Sequence, residues 1–463
     1  MTRLLLPLTL GLAALLGCAA DTGQTALIGV SLVDLEAGTV RPDQTVILAG
    51  DSIERVGPRA DLRVARGATR IDGQGAWLIP GLWDMHTHVS MAGRGSLVGL
   101  LAHGVTAIRD MGGSPVVPAW RDSIAAGLLE GPRISTPATI VESERWLSAV
   151  IELTKKLDTP SLTESLERRL AVATAEDAER AVDSLVALGA DFLKIRNYPS
   201  PDAYFALVRA AKRRGLRVEG HAPPIGFLRQ VSDSGFASIE HPVLASRNGT
   251  LMEGFSSLEP EARRELFAAL ARNRTAFDPT LVSGAARLLP DSTIERAIAD
   301  SLGSSQPELR HVPPELREEW RTQLALRRGD PSQGIDWAAI HDSSARMTGA
   351  MAAAGITIVA GTDLGIPPLV PGASLADELE LLVREAGLTP LEALRAATTN
   401  AAQLTGLGER SGVIAPGRLA DLVLLEADPL ADVGAVRRVR MVIAAGRVYD
   451  RAALDQLLEL AGR

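Results

Sequence analysis

Four of the seven histidines, His86, His88, His221 and His241, stand with Lys194 and Asp363 in or at the ends of apolar runs. His86 and His88 are separated only by Thr87, so on a strand both imidazoles point to one face, a spacing that suits two ligands on one metal. His221 alone reads equally as a hydrogen-bonded core residue, and Asp363, in Gly361-Thr362-Asp363, equally as a helix cap. Brought to one rim, however, four neutral imidazoles and a carboxylate suit one or two divalent cations, above all Zn²⁺. Lys194 is the odd member. Only four of the 48 Lys and Arg residues are lysine, so a lysine among Phe192, Leu193 and Ile195 points to chemistry that arginine cannot do. A buried amine has a depressed pKa and can be neutral. A neutral amine can take up CO2 to become a carbamate, whose two oxygens can bridge two metal ions. The alternative is a lysine that snorkels to solvent or pairs with an acid.

These residues need a scaffold that converges. Eight segments read as strands: Trp83–His88, Val105–Asp110, Arg133–Ile140, Phe192–Arg196, Leu216–His221, Ser238–His241, Thr275–Thr280 and Ile356–Asp363. Between the fourth and fifth the pattern is legible in detail. Thr174 caps a helix with Ala178, Ala181, Val182 and Leu185 on one stripe, which stops at Gly189. After the strand, Ser200-Pro201 opens a second helix with Tyr204, Leu207, Val208 and Ala211 inward, stopped at Gly215. Strand–helix–strand units join parallel strands. Eight of them over about 320 residues predict an α/β fold, a (β/α)8 TIM-type barrel, with a doubly wound open sheet as the alternative. Barrels place chemistry at the C-terminal ends of their strands, where His86, His88, His221, His241 and Asp363 fall. Residues 141–173 and 283–337 read as helical, charged insertions.

The two flanks have a different texture. Short strands at Leu27–Leu35, Thr45–Ala49 and Ile53–Val56, with Gly50-Asp51 as a hairpin turn, precede the barrel. Leu422–Leu425, Met441–Ala444 and Arg447–Tyr449 follow it. Neither flank has strands enough for a stable sheet, so the two should combine into one small composite β-sandwich. The expected division is 1–18 targeting segment, 19–80 and 406–463 sandwich, and 81–405 barrel. In the first segment Arg3 precedes an apolar run from Leu4 to Leu16, short of the about 20 residues that span a bilayer. Cys18, the single cysteine, follows Leu15-Leu16-Gly17, which resembles a bacterial lipobox; Cys18 would then be lipidated, and a plain secretory signal is the alternative. This implies an exported chain, tethered at the cell envelope on the periplasmic side or secreted. The net charge of −8 speaks against a nucleic-acid partner, and one cysteine excludes a disulfide framework.

Asp84-Met85-His86-Thr87-His88 after Pro80-Gly81, Lys194, Gly220-His221, Ile239-Glu240-His241 and Gly361-Thr362-Asp363 together resemble the amidohydrolase superfamily, in its imidazolonepropionase-like and prolidase-like branch. Gly104-Val105-Thr106 with Arg109-Asp110, Asp278-Pro279-Thr280-Leu281, Ala397-Thr398-Thr399-Asn400, Pro416-Gly417-Arg418-Leu419-Ala420-Asp421 and Ala445-Gly446-Arg447 extend the likeness over residues 27–450. The resemblance implies a barrel beside a composite β-sandwich. It implies a first metal on His86, His88 and Asp363, a second on His221 and His241, and a carboxylated Lys194 and a hydroxide between them. Asp363 would serve as base and then acid in cleaving an amide bond of a dipeptide or N-acyl amino acid. A lactone, cyclic amide or phosphotriester is the alternative substrate, and a non-catalytic tethered metal-binding protein the remote one. Tyr198 and Arg196, and beside them Asn197, follow Lys194 and are candidates for the substrate carboxylate; Arg109 is better suited to pairing with an acid. His103 is left outside the site, and His311 and His341 are expected at the surface. Glu219 and Pro242, which depart from the family pattern, are expected to reshape the pocket rim. The expected partner is a small-molecule or short-peptide substrate, with a membrane reached through the lipid anchor alone and a homo-oligomer left open.

Overall fold

Parallel pairing starts at Leu82–Thr87 and passes through Val105–Asp110 to Arg133–Ser135. It resumes from Ile140–Ser143 through Phe192–Asn197, Arg217–His221 and Phe236–Glu240 to Ala276–Asp278. The computed structural model describes residues 23–156, 159–247, 250–328 and 335–462, so the expected targeting segment 1–18, with Cys18, lies outside the described residues. None of the described helices is long and apolar enough to cross a membrane.

Two of the eight expected strands differ from the sequence reading. The third is two pieces, Arg133–Ser135 and Ile140–Ser143, because Ala138 takes a left-handed backbone (φ 59°) that no strand continues through. The eighth, 356–363, is not a continuous strand. It closes the barrel through single bridges, Phe277 to Ile358 and Thr87 to Leu364, and through Met85 N donating to the Ala360 carbonyl at 2.9 Å. Regular pairing fails here because the Asp84 carboxylate takes both the Thr362 amide (3.0 Å) and its hydroxyl (2.7 Å). The chain also presses so close that a Cβ on Gly361 would lie 2.4 Å from Asp278 Oδ2 and 2.6 Å from His86 Cβ. Only glycine fits there.

The helix read from Thr174 spans Ala175–Ala187, and its buried residues are Ala178, Ala181, Val182 and Leu185. Thr174 Oγ accepts the Asp177 amide while the Asp177 carboxylate accepts the Thr174 amide, a reciprocal cap. Helix Pro201–Arg213 follows, with the Ser200 hydroxyl accepting the Ala203 amide. The insertions carry helix Glu144–Lys156 after the third strand and Pro314–Arg328 before the eighth.

Both flanks join one eight-stranded sheet, ordered Arg447–Tyr449, Val439–Ala444, Leu422–Leu425, Trp77–Pro80, Gln24–Asp34, Thr39–Ala49 and Ser52–Pro58, with Thr69–Asp72 beside Gln24–Asp34. Leu422–Leu425 runs antiparallel to Trp77–Pro80, so the two ends of the chain meet in mid-sheet. Leu27, Leu32, Leu48 and Leu78 from one end share a cluster with Leu422, Leu424 and Ile443 from the other. Each flank therefore buries one apolar face against the other, while Val33, Ile79, Val423 and Val442 on the opposite face join the core of the barrel.

The sequence reading missed a last helix, Arg451–Ala461, which Asp450 caps and which packs on barrel helix Gly95–Ala102. It also misplaced two histidines. His341 is largely enclosed, its Nε2 2.9 Å from Glu385. His311 is buried: its Nδ1–H donates to the Leu458 carbonyl at 2.9 Å, and its Nε2 accepts from Arg310 at 2.8 Å. Both ring nitrogens are thus committed in the neutral form, and burial and the Arg310 charge push the imidazole below its ordinary pKa. Since the folded-state value is lowered, this clasp is intact above the unfolded value of about 6.5 and weakens as pH falls below it. Amide-exchange protection over residues 451–461, referred to the intrinsic exchange rates, should fall as pH drops below about 6.5, and His311→Gln should flatten that dependence.

Candidate metal centre

The strand ends bring His86, His88, His221, His241, Lys194 and Asp363 to one place. His88 Nε2 is 3.0 Å and His86 Nε2 3.6 Å from Asp363 Oδ1, and His241 Nδ1 is 4.0 Å from Asp363 Oδ2. The His86 and His241 rings are 4.3 Å apart, and those of His241 and His221 5.1 Å. His241, Thr280 and Asp363 all have left-handed backbones (φ 66°, 45° and 60°). The cost of such conformations is borne where a site needs side chains re-aimed. Gly220 lets strand Arg217–His221 lie flush on its neighbour, since a Cβ there would sit 1.9 Å from the Ile195 carbonyl oxygen.

Burial, reinforced by neighbouring positive charge, holds His86 and His221 well below the ordinary imidazole pKa. Burial pushes His241 down to about 4. These three rings are neutral at pH 7 and offer lone pairs. Burial would raise the Asp363 carboxyl, but His241, His88 and His86 around it hold it well below the usual range, so it is ionised. Lys194 is fully buried, its Nζ donating to the Met111 carbonyl at 2.7 Å. Burial pushes its amine down to about 8 against the pull of Glu240 and Asp363.

Beneath the histidines lies a layer of charge. The fully buried Arg109 donates to Glu219 and Ser238 through Nη1 and to Glu240 through Nη2, each at 2.7 Å. Its Nη2 lies 3.4 Å from Asp278, and its Nε donates to the Met85 carbonyl at 2.7 Å. Arg217 reaches the second oxygen of Glu219 at 2.9 Å. Glu219 therefore sits under the site and not at its rim, contrary to the sequence expectation. Glu240 turns its other contact upward, 3.1 Å from His86 Nδ1. A carboxylate on Nδ1 keeps the proton there and aims the Nε2 lone pair away from it, the arrangement used to orient metal-binding imidazoles.

His86 Nε2 has no hydrogen-bond partner although it is buried. An orphaned buried polar atom costs about 1–3 kcal/mol, and a cation shared with His88 and Asp363, whose ligand atoms all lie within 4.8 Å, would remove that cost. A second group of the same compactness, His86, Glu240 and Asp278, does not fit an ion, because the Arg109 guanidinium already lies against both carboxylates.

Residues 77–449 match the model of the amidohydrolase family. The chain belongs to that family. Among amidohydrolase relatives, the imidazolonepropionase of Chloroflexus aggregans is 25% identical over 406 residues, covering 85% of this chain and 86% of its own. Ochratoxinase of Aspergillus niger is 42% identical over a shorter stretch of 81 residues, 17% of this chain and 16% of the fungal one. The crystal structure of a protein assigned as a prolidase in Bifidobacterium longum superposes with a TM-score of 0.68 at 26% identity, covering 95% of this chain and 99% of that one. The protein is thus a hydrolase acting on carbon–nitrogen bonds, built on the barrel and composite sheet of its family.

The residues weighed for the substrate carboxylate fare differently. Arg109 is spent on buried acids. Asn197 gives its amide to Glu142 at 2.8 Å. The Tyr198 hydroxyl donates to the His221 backbone carbonyl at 3.0 Å while its ring packs on Tyr204, so it braces a strand end. Arg196 has no acid partner among the described residues and lies over the Trp146 ring. His103, left outside the site, donates to the Gly99 carbonyl of its own helix at 2.8 Å. Glu240, Glu219 and Asp278 carried a signal that went unused: Glu219 lies two residues before His221 and so shares its strand face.

Proposed function

We propose that this amidohydrolase uses two divalent ions, Zn²⁺ by preference, to hydrolyse the amide bond of a dipeptide or N-acyl amino acid. One observation carries the reading: an ionised Asp363 stands against His86 and His88 beside a buried lysine amine held at about 8. His86, His88 and Asp363 would hold one ion and His221 and His241 the other, with Lys194, as its CO2-derived carbamate, shared between them. Bound there, the ions would polarise the substrate carbonyl and lower the pKa of a water. Asp363 accepts a proton from the attacking water as its oxygen adds to the carbonyl carbon. It then delivers that proton to the nitrogen as the carbon–nitrogen bond breaks, so that an acid and a free amine leave. Glu240 keeps the His86 proton on Nδ1 throughout, and Arg109 holds Glu240. In this reading residues 1–18 export the chain and Cys18 anchors it by lipidation at the periplasmic side of the cell envelope.

Asp363→Asn should lower turnover by roughly 10²–10⁴ at matched metal content, because the amide cannot carry the proton. Near-normal turnover of that variant with both ions bound contradicts the role. Wild-type protein given matched amide, lactone and phosphotriester substrates should cleave the amide with the highest kcat/KM; a lactone or phosphotriester preference overturns the substrate class.

A further inference from the structure

Strand Phe192–Asn197 carries a defect at the mouth of the barrel. Its pairing with Ile140–Ser143 runs Lys194 to Ile140 and Ile195 to Val141, then jumps to Asn197 opposite Glu142. Arg196 is the extra residue of this bulge. Bulges re-aim a side chain, and they are common beside active sites. Arg196 lies two residues beyond Lys194, about 7 Å further along the strand toward the open end. Its charge is felt at both Lys194 and His221, so it borders the metal centre.

An arginine beside a buried site normally has an acid partner, and the acid at hand is Glu142. That carboxylate is fully engaged: Arg169 holds Oε1 at 2.5 Å, and the Asn197 backbone and side-chain amides hold Oε2 at 3.1 and 2.8 Å. Arg196 instead lies over the indole of Trp146, its guanidinium carbon 5.5 Å from the ring centroid. Trp146 comes from helix Glu144–Lys156 in the insertion after the third strand. A guanidinium held over an aromatic face keeps its N–H donors for another partner, and a carboxylate can take two of them in parallel hydrogen bonds.

We propose that Arg196, shelved on Trp146 at the bulge, is the receptor for a free carboxylate on the amine side of the scissile bond, and that Trp146 is its positioning residue. This rests on the amide-hydrolase reading and narrows it: substrates should be acyl amino acids or dipeptides with an ionised carboxyl terminus, and blocked peptides should be poor. A carboxylate there would also answer the charge of Arg196, which has no acid partner among the described residues.

The test separates binding from turnover. Metal-free protein is titrated calorimetrically with a panel of N-acetyl amino acids and with the matching carboxamides. The acids should bind at least about 10-fold tighter than the amides, and Arg196→Met should abolish the difference while Arg196→Lys restores part of it. In the metal-loaded enzyme, Trp146→Leu should raise KM for an acid substrate about 10-fold with kcat within about threefold, at unchanged metal content. Absence of any acid-over-amide preference, or its survival in Arg196→Met, overturns the proposal. Because the first readout needs no turnover, failure of amide hydrolysis itself is recognised separately, by the loaded enzyme leaving every substrate intact.

Discussion

On the proposed two-ion reading, replacing Lys194 with methionine should cut the bound metal from two ions per chain to at most one and lower turnover by roughly 10³-fold. The size follows from what is removed. A second ion contributes several kcal/mol of charge stabilisation in the transition state, and about 4 kcal/mol corresponds to a factor of 10³. The decisive comparison is Lys194→Arg. A guanidinium keeps the positive charge and could still reach the Met111 carbonyl, so a lysine held for charge or for that hydrogen bond (2.7 Å) would be partly replaced by it. A guanidinium cannot add CO2, so a lysine held for its carbamate would not. We expect the arginine variant to match the methionine variant in metal content and rate. Two ions and near-normal turnover in either variant contradicts the carbamate. Loading wild-type protein with zinc in ¹³C-bicarbonate should leave a protein-bound carbonyl resonance that both variants lack.

Arg109→Met should be the most destabilising single change in the barrel interior. Methionine fills much of the volume, but it leaves Glu219 and Glu240 without their 2.7 Å partner and Asp278 without the one cation in contact with it among the described residues. Removing one member of a buried ion network costs about 3–5 kcal/mol, because the remaining charges stay desolvated. Burial alone already disfavours charge on the neighbouring acids. Burial already pushes Asp84 up to about 7 and Glu378 up to about 8, and it holds Asp278, further raised by Glu240, well above the carboxylate range. The variant should express poorly at 37 °C, melt well below wild type, and, on the proposed reading, hold metal less tightly as Glu240 releases His86. A thermal midpoint within a degree or two of wild type would show that the layer carries little stability. Arg109→Met combined with Glu240→Gln should recover part of the loss, because one of the stranded charges is gone.

Much of the fold was legible because its signals are local. The Thr174 cap and its four-residue apolar stripe need no knowledge of what the helix packs on, and the helix is found where they put it. The strand-end histidines were legible for the same reason, since strand direction and the barrel rule place them together. What was not legible depends on neighbours far away in sequence. The eighth strand reads well as a β segment from Ile356 to Asp363, yet Asp84, 278 residues earlier, takes the Thr362 groups that would have continued it. Ala138 breaks the third strand in a left-handed turn that nothing in its type announces. The charge layer was missed because each of its acids is unremarkable alone, and only the barrel aims Glu219, Glu240 and Asp278 at one guanidinium. His311 looked like a surface residue in a charged insertion; helix Arg451–Ala461, itself hidden behind a reading of strands, is what encloses it.

Arg196 shows the opposite case. The sequence placed it near the substrate with Tyr198 and Asn197 on the same grounds, proximity to Lys194. Packing separates the three: two are committed to structural hydrogen bonds, and one lies over an aromatic ring with no hydrogen-bond partner among the described residues.

The central claim is amide hydrolysis at a two-ion site, and one assay addresses it most directly. The chain lacking residues 1–18 is loaded with zinc in bicarbonate buffer, its metal content is measured, and free amino acids released from a library of dipeptides and N-acyl amino acids are quantified. The account predicts two ions per chain and release from a coherent subset, all with a free carboxylate. Silence across the library from protein carrying two ions per chain would contradict it.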